Sequence, residues 1–329
     1  MSTRADVPTP PAGTFDDALK VARMYYHLEM TTTRIAAQLG MARPTVSRLL
    51  TWARNNGLVE FRILDHSQRQ LQLETELEER FGVREVKVVP SHPDATASEQ
   101  LAAVTTFTAH YLNGLVGART TLAIAWGATV SQVAANLTPK PLPDINVVQL
   151  TGSGNNNGGH GVTDAARIIA KFAENYHGNG HLLPIPAYFD DPATKDAMYR
   201  ERVVKRVRDM ASRADIVLFS IGTPDANSYI YRAGYIEDAE LSALRDEGVV
   251  GDIATVFFRA DGSYEDVAMN RRSTGPDLAS LKEHPYSVCV VAGASKLQAL
   301  KGALAGRFLN TLVIDEGTAL RLAREAGAA

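Results

Sequence analysis

Residues 31–59 read TTTRIAAQLG MARPTVSRLL TWARNNGLV. The hydroxyls of Thr31 to Thr33 are N-cap groups for a short helix carrying Ile35, Ala36, Ala37 and Leu39, and Gly40 ends that helix by accepting a positive φ. After the turn at Met41-Ala42, a second helix begins near Arg43. Pro44 falls in its first turn, where the missing N–H costs nothing, and the helix runs through Val46, Leu49, Leu50 and Ala53 to Asn56-Gly57. Two short helices joined by a glycine-containing turn of three or four residues form the helix-turn-helix unit, whose second helix enters the major groove. Here Val46, Leu49, Leu50 and Ala53 would pack inward against Ile35, Ala36 and Leu39. Arg43, Thr45, Ser47 and Arg48 are then left near the exposed end, where Arg pairs bidentately with guanine and hydroxyls hold phosphates. These four are the candidate DNA-contacting residues.

Upstream, Ala18, Leu19, Ala22, Met24 and Tyr25 recur at helical spacing after Thr14 and acidic Asp16-Asp17, which predicts a first helix over 15–28. Downstream, Leu58 to Ile63 follow Gly57 as a short strand, a wing beside the reading helix. Residues 15–63 are therefore expected to form one small winged-helix-like domain. Residues 1–14, rich in Pro and Thr, are expected to form a disordered tail. The same periodicity also fits a three-helix bundle that makes only protein contacts.

A net charge of −3 is unexpected for a chain that meets phosphates. Its distribution accounts for it: residues 1–63 hold eight Lys/Arg against five Asp/Glu, or +3, and the remainder carries −6. A basic small domain is joined to an acidic large one. At 329 residues, with 45% apolar and 22% charged, the chain is long enough for two folded domains, each with its own core.

Between them, residues 64–82 contain Leu73, Leu77 and Phe81 at every fourth position of an otherwise polar helix. This is a linker or oligomerisation helix: its stripe docks on its own domain or holds two readers at half-site separation. Over 83–329, apolar runs at 85–89, 121–126, 145–150, 216–221, 288–292 and 311–314 alternate with helical patterns, which predicts a Rossmann-like α/β domain with a parallel sheet.

Ligands on such sheets bind beyond the strands' carboxyl ends. Four small-residue loops fall there: Gly127-Ala128-Thr129 opening a helix, the polar run from Gly152 to Gly161 with His160, Gly222-Thr223, and Gly293-Ala294-Ser295-Lys296. Backbone N–H groups and a hydroxyl at Gly127 and Thr129 suit a phosphate at a helix N-terminus. Lys296 offers a point charge, and Asp252 offers an acceptor for sugar hydroxyls. With Gly152, these are the candidate effector-binding residues.

No Walker-type Gly-x-x-x-x-Gly-Lys and no full Gly-x-Gly-x-x-Gly occurs, which argues against nucleoside triphosphates and dinucleotides. No metal-ligand spacing stands out, so neither a metal nor a cofactor is expected. The single cysteine, Cys289, lies in an apolar run and reads as a core residue. No apolar run approaches the roughly 20 residues of a membrane span, and the cytoplasm is the expected location.

The stretch from Thr33 to Val59 resembles the reader of the SorC (sugar-binding) family of bacterial transcriptional regulators. Trp126-Gly127-Ala128-Thr129, Val148-Gln149-Leu150, Gly248 to Ile253 with Phe257-Phe258 and Asp261-Gly262, Val291 to Lys296 and Leu312 to Glu316 with Thr318-Ala319 are similar to its DeoR-like effector domain. The resemblance implies a domain like those of sugar-phosphate isomerases and glucosamine-phosphate deaminases, sensing a phosphorylated sugar or polyol. It further implies operator DNA as partner, assembly as a homotetramer or homodimer, and no catalytic residue. It places Gly127 and Thr129 at the phosphate and Asp252 and Lys296 near the sugar. The chain departs from the family in having Ala292-Gly293 where Gly-Gly is common. A sugar-phosphate isomerase or deaminase is the alternative, with Asp252, Asp315, Glu316 and Lys296 as its acid and base groups.

Overall fold

The computed structural model describes residues 14–59, 68–92, 94–153, 165–226, 228–232 and 234–326. The chain divides into two compact units, Met1–Asp65 and His66–Ala329.

The first unit begins with helix Thr14–Ala22, which continues as one π-helical turn, Arg23–His27. Helices Thr32–Leu39 and Arg43–Asn55 follow. Thr31 caps the second helix by accepting from the Arg34 N–H at 3.3 Å. Gly40 takes φ +64°, and the Met41 N–H closes onto the Ala36 carbonyl at 2.9 Å. Val46 and Ala53 point inward as expected, against Val21, Met24, Ile35 and Ala36 on one side and Ala18 and Ala22 on the other. Leu49 and Leu50 are half-buried between these two clusters. The expected wing is not a strand where it is described: the Leu58 and Val59 amides turn back to the Ala53 carbonyl at 2.8 and 3.3 Å. Those amides are used to close the reading helix, so they have no strand partner. Residues 60–63 lie outside the described residues.

The second unit is a nine-stranded sheet. Its strands are β1 (Glu85–Val89), β2 (Thr121–Ile124), β3 (Asn146–Gln149), β4 (Asn179–His181), β5 (Ile216–Gly222), β6 (Val249–Ile253), β7 (Val256–Arg259), β8 (Tyr286–Val291) and β9 (Thr311–Asp315). The parallel path is β1-β9-β8-β5-β2-β3-β4, and the β6–β7 hairpin joins antiparallel to the end of β5. Each central strand is apolar on both faces because both are covered. Leu122, Ile124, Leu218, Val288 and Val290 face helices Ala97–Leu115, Ala128–Ala135 and Ala165–Tyr176. Ala123, Val217, Phe219, Cys289 and Val291 face helices Gln68–Phe81, Arg202–Ala211, Leu297–Ala305 and Glu316–Ala326. The six expected strands are present. β4, β6 and β7 were not expected: β4 reads as a turn from Asn-Gly-His, and the β6–β7 hairpin turns on Ala254-Thr255 rather than on a turn-forming pair.

Helix Gln68–Phe81 lies along the outer edge of β1 and seals it. The Val88 N–H donates to Glu74 Oε1 at 2.7 Å and the Val86 N–H to Glu78 Oε1 at 2.8 Å, so two carboxylates supply the acceptors that a missing strand would have provided. Leu73 and Leu77 are buried in the core of this unit and Phe81 packs against it. The stripe is thus spent within the chain, and a dimer contact through it does not describe this helix. Among the described residues no helix is long and apolar enough to cross a membrane.

Leu77 is 0% exposed and Leu71, on the opposite face, 51%. Leu77→Ala is expected to cost about 2–5 kcal/mol in urea unfolding, whereas Leu71→Ala should stay within about 0.5 kcal/mol of the parent. Equal effects would show that the helix does not dock in this orientation.

Candidate functional site

In the first unit Arg43, Thr45, Ser47 and Arg48, the candidate DNA contacts, all lie in the first two turns of helix Arg43–Asn55. Arg43, Ser47 and Arg48 are exposed, and Thr45 is half-buried. The Arg48 guanidinium reaches the Thr45 hydroxyl at 3.5 Å, which places that hydroxyl beside the arginine. Thr51, one turn beyond Ser47, is also exposed and donates its hydroxyl to the Ser47 carbonyl at 3.1 Å. An exposed row of cationic and hydroxyl side chains backed by a buried Val46 is the arrangement a major-groove helix needs.

In the second unit, β8, β5, β2 and β3 are consecutive neighbours in the sheet, so the loops leaving their carboxyl ends are adjacent. The antiparallel pairing of Gly222 with Asp252 brings the β6 carboxylate to the same edge. Gly222 must lack a side chain there, since a Cβ would overlap Asp252 Oδ1. Asp252 is 6% exposed. Its Oδ2 accepts from the Thr255 N–H at 3.3 Å. Lys296 Nζ donates to Ser220 Oγ of β5 at 3.0 Å. Burial pushes the Asp252 carboxyl up to about 6, although the Thr255 N–H and the Lys296 charge both oppose this. Burial likewise pushes the Lys296 ammonium down, while Cys289 and Asp252 oppose that shift. Each group favours the charged form of the other, and desolvation outweighs that help at both.

Asp315 holds the lysine loop in place. It is buried at the end of β9, accepting from the Gly293 N–H at 2.8 Å and the Thr318 N–H at 2.9 Å. Both oxygens accept from the backbone, so Asp315 holds the Gly293 turn against the start of the last helix. Glu316 next to it accepts from Gln70 Nε2 at 3.5 Å. Cys289, beneath the lysine, is buried and its thiol is pushed up to about 12 by desolvation, which leaves it an inert core residue.

Gly127 takes φ +136° at the cap of helix Ala128–Ala135. Thr129, in its first turn, is buried, and its hydroxyl has no hydrogen-bond partner among the described residues. The neighbouring loop is tied to this one by Trp126, whose indole N–H donates to the Gly152 carbonyl at 2.8 Å and whose ring stacks on Tyr235 with centroids 5.2 Å apart. Gly152 is more constrained than its sequence setting implies. Its N–H donates to the Thr274 hydroxyl at 3.1 Å, and any Cβ would overlap the Pro186 carbonyl. Both its backbone groups are engaged, so Gly152 anchors the loop, while residues 154–161, including His160, lie outside the described residues. Arg167 is exposed on helix Ala165–Tyr176.

A chain of buried hydroxyls runs between these two sides, and it was not foreseen. Thr255 Oγ1 lies 3.0 Å from both Thr151 Oγ1 and Ser273 Oγ, and the Thr274 hydroxyl donates to the Pro186 carbonyl at 2.9 Å. Thr255 and Ala254 adopt φ +74° and +47°, the left-handed region that a β-branched residue enters at a cost of about 1–3 kcal/mol. Four hydroxyls scattered over more than a hundred positions carry no local sequence signal. Two non-glycine residues in a two-residue hairpin turn carry none either.

Comparison with known proteins follows the same outline. Residues 65–324 match the Sugar-bind family, a sugar-binding domain. The chain is similar to the deoxyribonucleoside regulator of Bacillus subtilis (strain 168), being 33% identical over 310 residues that cover 94% of this chain and 97% of that protein. A domain of a possible sugar-binding transcriptional regulator from Arthrobacter aurescens TC1 superposes with a TM-score of 0.71 at 38% identity, covering 80% of this chain and 100% of that one. The full-length sorbitol operon regulator SorC from Klebsiella pneumoniae superposes with a TM-score of 0.70 at 27% identity, covering 94% of this chain and 99% of that one. With a helix-turn-helix unit, a sugar-binding domain and regulators matched over nearly its full length, the chain belongs to the SorC family of sugar-binding transcriptional regulators.

Proposed function

We propose that the protein reads operator DNA with Arg43, Thr45, Ser47 and Arg48, and that a phosphorylated sugar or polyol bound at the carboxyl edge of the sheet sets its hold on that DNA. The observation that carries the effector site is the adjacency of four strand-end loops, with Asp252 and Lys296 both meeting the end of β5. In this reading the amides after Gly127 and the Thr129 hydroxyl, which has no hydrogen-bond partner among the described residues, receive the phosphate. Lys296 supplies positive charge, Asp252 accepts from sugar hydroxyls, and Gly152 keeps the third loop in register. The names of two relatives, a deoxyribonucleoside regulator and a sorbitol operon regulator, support a sugar or polyol as effector and a catabolic operon as target. Effector binding shifts the protein between two states only to the extent that it binds them unequally. Two or four copies acting together in the cytoplasm would carry that shift to paired half-sites.

A second reading has one observation in its favour. The opposed shifts of Asp252 and Lys296 resemble an acid and base pair of an isomerase or deaminase. We read the pair as ligand-binding, because an effector consumed by its own regulator would erase the signal. Turnover of a bound sugar phosphate would overturn this.

Thermal unfolding against a panel of sugars and polyols, each free and phosphorylated, is the direct test. A ligand at 100 times its Kd should stabilise by about 2.7 kcal/mol. Selective stabilisation by one phosphorylated compound is expected; stabilisation by free sugars alone would remove the phosphate site. Lys296→Ala should lose this response while keeping DNA affinity, and Arg48→Ala should weaken operator binding with the effector response intact. Retention of the property in either variant removes that residue from its assigned role.

Asp252 also predicts a pH dependence. Its carboxyl is raised from 3.8 to about 6 in the folded protein, so between these values the unfolded chain loses a proton that the folded one keeps. Stability should therefore fall as pH rises through this window, by up to about 3 kcal/mol relative to Asp252→Asn, and stay level above it. Parallel urea-unfolding profiles for the two proteins from about pH 4 to 7 would contradict the buried carboxyl.

A further inference from the structure

The unit that carries the effector site is acidic, yet one of its helices is strongly basic. Helix Arg202–Ala211, RVVKRVRDMA, holds four cations against one carboxylate. Val204, Val207 and Ala211 bury one face in the core. The rest presents Arg202, Lys205, Arg206 and Arg208 to solvent, together with Val203, which is 58% exposed. Arg202 and Arg206 stand four residues apart and Lys205 and Arg208 three, so like charges meet along two rows and repel. Arg202 and Lys205 also sit in the first turn, where the helix dipole disfavours cations.

Among the described residues none of the four forms an ion pair, and Arg208 instead lies 3.7 Å over the Tyr199 ring. Nearby His181 is held below its usual range by burial and by Arg206, which keeps its own charge from adding to the face but neutralises none of it. A helix with this pattern is at its least favourable when alone and gains from an extended anion. From Arg202 to Arg208 it spans about 9 Å, long enough to meet successive phosphates. The polyanion that a regulator of this family must meet is duplex DNA, and tethering to a reader in the same chain raises the concentration of DNA that this unit meets.

We propose that the exposed face of helix Arg202–Ala211 is a second, sequence-independent DNA contact, in which Arg202, Lys205 and Arg206 bind phosphates of the duplex that the reader holds. The effector-binding unit then takes part in DNA binding directly as well as through the readers. This rests on the DNA-binding reading of the first unit.

The test uses the full-length protein, a long duplex of random sequence and fluorescence anisotropy across a salt series. Four variants are compared with the parent: Arg202→Gln/Lys205→Gln/Arg206→Gln, Arg43→Ala/Arg48→Ala, the combination of these two, and Arg202→Lys/Arg206→Lys. Loss of three phosphate contacts should lower the slope of log K against log salt by up to about 2.7. Arg43→Ala/Arg48→Ala should keep residual salt-dependent binding that the combination abolishes, and Arg202→Lys/Arg206→Lys should restore the slope that the glutamine variant loses. An unchanged slope and affinity in the glutamine variant overturns the proposal. So does an altered sedimentation mass with unaltered DNA binding, which would assign the face to a protein partner. If instead the reader assignment is wrong, Arg43→Ala/Arg48→Ala binds like the parent while the glutamine variant still weakens.

Discussion

Asp252 lies against the bare Cα of Gly222, buried where the hairpin meets the end of β5. This contact places a carboxylate at the carboxyl edge of the sheet, and much of the site's chemistry depends on it. A charge this poorly solvated must be neutralised, paired or hydrogen-bonded. Here it has one backbone N–H, a nearby ammonium and a raised pKa. Lys296 is desolvated in turn and leans on a single hydroxyl, that of Ser220. Both groups therefore gain from a polar ligand that completes their hydrogen bonding.

The surrounding shell keeps those two groups from relaxing away. The left-handed turn at Ala254-Thr255 aims an N–H at Asp252, and the Thr255 hydroxyl pins that turn to Thr151 and Ser273. Asp315 does the same for the loop that carries Lys296, and Trp126 does it for the loop at Gly152. Strain of this kind persists only where neighbouring contacts over-determine it, and it clusters where a protein must hold an unfavourable geometry ready. The cost of keeping the two charges half-solvated is met by backbone and hydroxyl contacts that lie outside the site.

At the far edge of the sheet the same economy of hydrogen bonds works without any ligand. Glu74 and Glu78 accept the edge amides of β1, so the sheet ends in a helix rather than in an open strand. The polar face of that helix is thus partly structural, and its leucine stripe belongs to the core. The basic face of Arg202–Ala211 is the opposite case, since none of its four cations forms an ion pair among the described residues.

Much of the architecture is legible in the sequence because it depends on local rules. Gly40 and Pro44 mark the turn between two short amphipathic helices, and six apolar runs alternating with helices require a covered parallel sheet. Gly127 and Thr129 could be named as candidates because they open a helix after a strand, and Asp252 and Lys296 because they stand in stretches that resemble the family's effector domain. Only the tertiary structure decided that Asp252 and Lys296 meet the same strand, because they are joined through β5 and not through neighbouring sequence. It also decided that Leu73 and Leu77 turn inward, since a stripe of period four carries no information about which surface covers it. The engaged backbone of Gly152, the structural role of Asp315 and the hydroxyl chain from Thr151 to Ser273 are likewise tertiary. Each depends on groups far apart in the chain meeting within 3 Å or so, and no periodicity in a sequence records such a meeting.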